Sequence, residues 1–96
     1  IVAMMNIYAD RPMLGIVGDQ NDSRCVVRKV VSGSAAEEAG IQMGDVILSF
    51  NNEPIHNFAH LAKTGVQYRP GDAIPVVIDR AGSLIEVTVV LKRHSP

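Results

Sequence analysis

A glycine set between bulky apolar residues, in Met13-Leu14-Gly15-Ile16, is the arrangement in this chain best suited to chemistry. Glycine reaches positive φ without a Cβ clash. Successive N–H groups around such a residue can converge on one point and make a nest for an anion, such as a terminal carboxylate. The same four residues also read as an ordinary glycine bulge at the entrance of a strand, and the residues alone leave both readings open.

Other chemistry-bearing residues have plainer explanations. Ser34 follows a glycine, but no base, orienting acid or strained nucleophile turn accompanies it. Its spacing to Glu37 makes a capping box instead: the hydroxyl accepts from the Glu37 amide, and the carboxylate reaches back to the Ser34 amide. His56 and His60 have zinc-ligand spacing, yet His56 precedes the expected helix cap and nothing nearby completes a tetrahedral set. No metal or other cofactor is expected. Cys25 is the single cysteine, excludes an internal disulfide, and reads as a small strand residue. Phosphate-cradling glycine motifs are missing, and two phenylalanines with two tyrosines make a poor stacking platform for nucleic acid.

The elements that must hold these residues are short. Residues 13–18 read as a strand with glycine punctuation, residues 25–31 as a β-branched strand, and Ser34 to Gly40 as a capped mini-helix ended by glycine. A nearly continuous apolar strand follows at residues 45–50, then a turn at Asn51-Asn52. Asn57 is placed to cap a second helix reaching about Tyr68. Phe58, Leu61, Gly65 and Tyr68 lie on its core side, with Ala59, Ala62, Lys63 and Val66 on the adjacent flank. Residues 73–80 and 84–92 make two strands around Ala81-Gly82, the second with Ile85, Val87, Val89 and Leu91 inward. Residues 1–8 fit either an edge strand or the tail of a helix from an upstream domain.

The chain has 96 residues, nine basic and ten acidic side chains, and a net charge of -1. One domain is expected at this length. The charge gives no general pull toward nucleic acid or anionic membrane, and no apolar stretch approaches the ~20 residues needed to span a bilayer. Neither partner is expected. Residues 1–8 are apolar but short and lack the basic flank of a signal peptide.

Taken together, Met13-Leu14-Gly15-Ile16, the block from Ser32 to Asn52, the helix after Asn57 and the hairpin after Arg69-Pro70-Gly71-Asp72 resemble a PDZ domain. The stretches 39–49 and 69–78 are similar to the PDZ domains that follow the protease in HtrA and DegS-type bacterial enzymes. The resemblance implies an α+β, mostly β fold: a partly open five- to six-stranded sandwich or barrel capped by two helices. It implies a domain over residues 11–93, with residues 1–10 an extension, edge strand or linker and residues 94–96 a tail. This chain would carry no catalysis, whereas its parent would be a serine endopeptidase of the bacterial periplasm, concerned with protein quality control and stress response.

The resemblance further implies that Met13, Leu14, Gly15 and Ile16 hold the C-terminal carboxylate of a peptide. That peptide would come from a misfolded protein or a signalling segment, and would add as a strand between the strand from Ile16 and the second helix. Val17, Gly18, Ala59, Ala62, Lys63 and Val66 would line the groove. Leu14, Ile16, Ala62 and Val66 would form the pocket for an apolar or aromatic last residue. Arg11 is placed either to add charge to the carboxylate or to be a solvated surface cation, and Lys63 either to meet a polar peptide side chain or to be the same. Gly15→Val is expected to weaken binding while the fold stays cooperative. The alternative reading is a scaffold or intramolecular PDZ module in a membrane- or secretion-associated protein that is not a protease.

Overall fold

Ser34 starts the first helix, and it does so through a hydrogen-bond set slightly different from the one expected. In a computed structural model that describes residues 2–4, 12–19, 21–65 and 67–93, helix α1 spans Ala35–Ala39, with Ser34 Oγ accepting from Glu37 N–H at 3.2 Å. The Glu37 carboxylate accepts from Gly33 N–H at 2.8 Å rather than from Ser34 N–H. The reason is that Ser34 N–H already donates to the Val31 carbonyl, at 3.2 Å. Gly40 ends α1 in the left-handed region at φ 93°, its amide reaching the Ala36 and Glu37 carbonyls.

Nine strands accompany the helices among the described residues: β1 Val2–Met4, β2 Pro12–Met13, β3 Ile16–Asp19, β4 Val27–Val30, β5 Val46–Phe50, β6 Glu53–Pro54, β7 Ala73–Arg80, β8 Ser83–Val90 and β9 Lys92–Arg93. Five of these, β3, β4, β5, β7 and β8, have four or more residues, so the expected mostly β sandwich rests on them. The sheets run β1-β3-β4, β2-β9 and β6-β5-β7-β8. All named pairs are antiparallel, which matches the turn-rich sequence.

Two of the connections are two-residue turns with positive φ throughout. Asn51 and Asn52, at 53° and 66°, join β5 to β6; Ala81 and Gly82, at 51° and 88°, join β7 to β8. Both have the dihedrals of the hairpin turn whose twist matches that of the flanking strands.

Helix α2 spans Phe58–Gly65. Asn57 Oδ1 caps it by accepting from His60 N–H at 2.8 Å. The helix is shorter than the apolar periodicity implies, because Gly65 closes it and Tyr68 N–H turns back to the Gly65 carbonyl at 3.2 Å. Tyr68 therefore reaches the core from a turn. Its ring meets Phe50 edge-on, with centroids 5.4 Å apart.

Phe50, Phe58, Leu61, Ile47, Val76, Ile78 and Val89 form the centre of one apolar cluster that also takes in Leu14, Ile16, Val27 and the two alanines Ala35 and Ala36 of α1. The small side chains at those two buried positions let so short a helix lie against the core. Ile85 and Val87 pack against the same cluster from β8, while Leu84 and Val90 face solvent. Asp45 and Arg80 pin the junction of α1 with the large sheet. Arg80 Nε and Nη2 donate to the two Asp45 oxygens at 3.0 and 2.8 Å, and Nη2 also donates to the Gly40 carbonyl at 2.7 Å.

Candidate functional site

The loop entering β3 is held by the segment between β4 and α1. The Leu14 carbonyl accepts from Ala36 N–H at 2.9 Å, and the Gly15 carbonyl accepts from Val31 N–H at 2.8 Å. In a trans peptide the C=O of one residue and the N–H of the next point in opposite directions, and no described peptide bond is cis. The amides of Gly15 and Ile16 are therefore both turned away from residues 31–36. Among the described residues, no acceptor meets the Gly15 amide.

Gly15 is irreplaceable for two separate reasons. Its φ is 86°, and a Cβ placed on it would overlap the Cβ and Oγ of Ser34. The same glycine that turns the amides thus packs against the cap of α1. Gly15→Val consequently strains the fold as well as the loop, which corrects the expectation of a clean binding variant.

The remaining residues singled out in the sequence fall as follows. Leu14 and Ile16 are each 0% exposed and belong to the core cluster, so their side chains build the floor under the loop. Val17 is half-buried and Gly18 buried. A Cβ on Gly18 would run into the Phe58 ring, so the first turn of α2 lies directly against β3 at this point. On α2, Ala62 is half-buried against the core while Ala59 and Lys63 are exposed. At 100° per residue these three share the flank next to the core-facing Phe58, Leu61 and Gly65. Met13 is described by its backbone, which pairs with Lys92; its side chain, Arg11 and Val66 lie outside the described residues, as does the tail at residues 94–96.

Adjoining that flank at Lys63, a surface depression is lined by Glu53, His60, Lys63, Thr64 and Gln67. Sequence reasoning did not join β6 to this flank. Glu53 Oε2 accepts from Thr64 Oγ1 at 3.1 Å and lies 3.5 Å from His60 Nε2. His60 Nδ1 accepts from the His56 backbone amide at 3.2 Å, and the two rings stack with centroids 5.1 Å apart. These contacts tie the β6 turn to the start of α2. Among the described residues, no three metal-ligating side chains come together there.

Cys25 is 1% exposed, and burial, with the nearby Asp22 charge adding to it, pushes its thiol up to about 12. A neutral thiol under the sheet is chemically quiet. Asp45 shows the reverse electrostatics. Burial opposes its ionisation, but the hydrogen bond from Arg80, the Gln42 amide at 2.8 Å and the guanidinium charge outweigh that, holding the carboxyl below the usual range.

A glycine loop that turns two amides outward at the head of a strand, beside a capped helix, is a backbone donor site suited to an anion. Comparison with known proteins gives the family: the PDZ domain model matches residues 12–91, and the chain belongs to the PDZ domain family. Among curated relatives, the periplasmic pH-dependent serine endoprotease DegQ of Escherichia coli is 35% identical over 65 residues, covering 68% of this chain and 14% of that protein. The periplasmic serine endoprotease DegP of Salmonella typhimurium is 33% identical over 97 residues, covering 88% of this chain and 20% of that protein.

Among solved structures, a serine endoprotease from Yersinia pestis superimposes with a TM-score of 0.80 at 32% identity, over 91% of this chain and 30% of that one. The chain therefore resembles the PDZ domains of HtrA-type serine endoproteases, and it spans a fifth or less of the length of these curated relatives.

Proposed function

We propose that this PDZ domain captures the C-terminal end of a peptide, holding its carboxylate on the outward amides of Gly15 and Ile16 and its backbone along β3. The observation that carries this reading is the pair of hydrogen bonds from Ala36 and Val31 to the Leu14 and Gly15 carbonyls, which turns both following amides away from the body of the fold. An anion placed there receives two backbone donors, and a terminal carboxylate arrives with a strand attached that extends the sheet. Val17, Gly18, Ala59, Ala62 and Lys63 border the approach, with Met13 and Leu14 completing the loop. A bulky apolar last residue fits small side chains such as Ala59 and Ala62 on the helix side.

The relatives named above are serine endoproteases, two of them called periplasmic. By that likeness the domain feeds or regulates a covalently linked HtrA-type protease in the bacterial periplasm, and has no catalytic part of its own. A second parent is supported by the PDZ and LIM domain protein Zasp of Drosophila melanogaster, 33% identical over 58 residues, covering 60% of this chain and 3% of that protein. With a parent of that kind the same groove would serve a scaffold.

Titration of the 96-residue chain with apolar-ended peptides, free and C-terminally amidated, tests the capture reading. Losing the charged acceptor is expected to weaken binding roughly tenfold or more. Equal affinities for the two forms would overturn it.

A further inference from the structure

Strand β3 has two edges, and both are filled. β4 holds one. The other is held by β1, antiparallel, with Val2 opposite Asp19, Ala3 opposite Gly18 and Met4 opposite Val17. A strand pairs with one neighbour on each side, so a peptide that adds to β3 must first remove β1.

The direction of β1 adds to the argument. From Val2 to Met4 the chain runs from Asp19 toward Val17, that is, toward Gly15. A captured peptide needs this same sense, because its last residue must end at the Gly15 and Ile16 amides. We propose that Val2–Met4 is an internal strand that occupies the peptide edge of β3 and exchanges with the incoming chain end, so that apparent affinity is set by competition between them. The inference rests on the capture reading above and concerns its regulation.

The competition is balanced in a way that favours the right ligand. β1 has three residues, and so short an edge strand is marginal by itself. Seven residues separate Met4 from Pro12, however, and a short tether gives β1 an effective concentration on the order of millimolar. Dilute chain segments of similar length lose to it. A true C-terminus brings a free carboxylate, which β1 lacks because its chain continues through Met5. The internal strand therefore raises the threshold against internal segments more than against chain ends.

The test compares the full chain with its Ala3→Pro/Met4→Pro variant, using a synthetic peptide of about ten residues with a free C-terminal phenylalanine. Amides of adjacent strand residues point in alternate directions, so one of the two prolines removes a donor facing β3 whatever the phase. The variant is expected to bind roughly three- to tenfold more tightly, with faster hydrogen exchange at Gly18, whose amide faces β1, and a melt that stays cooperative. Equal or weaker binding by the variant overturns the inference and leaves capture standing. Absence of binding by both chains overturns capture itself, and the inference with it.

A spin label on Val2→Cys gives a second measurement that needs no proline. Saturating peptide is expected to make the label mobile; an unchanged spectrum with peptide bound also overturns the exchange.

Discussion

Gly15 and Asp45 show how single residues hold opposite ends of α1. Gly15 was conspicuous in the sequence because few residues tolerate its dihedrals. Its contact with Ser34 was not, since nothing in the local pattern says which glycine will face a helix cap. Asp45 is 1% exposed, and its partner Arg80 keeps 32% of its side chain in water. A Gly-Asp turn announces an aspartate, but the guanidinium that neutralises it comes from β7, thirty-five residues away. Asp45→Asn removes the charge and keeps the shape, and is expected to lower the melting temperature by roughly 10 °C through loss of charge-assisted hydrogen bonds.

Acid should act on the same pair. The folded carboxyl is held below its unfolded value, so the unfolded chain takes up the proton first as pH falls. The Asp45 contribution is fully present above the ordinary carboxylate value of about 4, and is lost as pH falls through the depressed folded value. Thermal melts of the parent and of Asp45→Asn should converge on acidification; a gap that stays constant down to acid pH would contradict this assignment.

The capped helices and the hairpins were the elements most legible from residue order. Ser34, Gly40 and Asn57 announce caps, and all three form them, because capping depends on side chains a few residues apart. The end of α2 was less legible: Tyr68 keeps the apolar period, but the helix ends at Gly65 before the period runs out. Periodicity reports which side chains face the core, whether from a helix or from the turn behind it. The hairpin between β7 and β8 carries a local conflict. Ala81 sits at φ 51° in a turn that favours asparagine or glycine. Ala81→Asn is therefore expected to stabilise the domain by up to about 1 kcal/mol, seen as a higher melting temperature with peptide affinity unchanged. A lower melting temperature would show that the turn is set by something other than its dihedral strain.

On the scale of the whole molecule, the domain is a sandwich in which the edge of β3 away from β4 is held by the three residues of β1. Local motifs in the right order were enough to expect that architecture, and the family match over residues 12–91 agrees with it. The pairing of β1 with β3 was not legible. Residues 1–8 are apolar without a decisive period, and register across twelve or more residues of intervening sequence depends on which edge is left unpaired by the rest of the fold.

The most direct test follows the backbone amide resonances of Gly15 and Ile16 as an apolar-ended peptide is added with its carboxylate free or amidated. The account predicts large downfield shifts of both amides with the free carboxylate and small ones with the amide. Shifts that are equal for the two peptides, or that leave Gly15 and Ile16 unmoved while the peptide binds elsewhere, would contradict it.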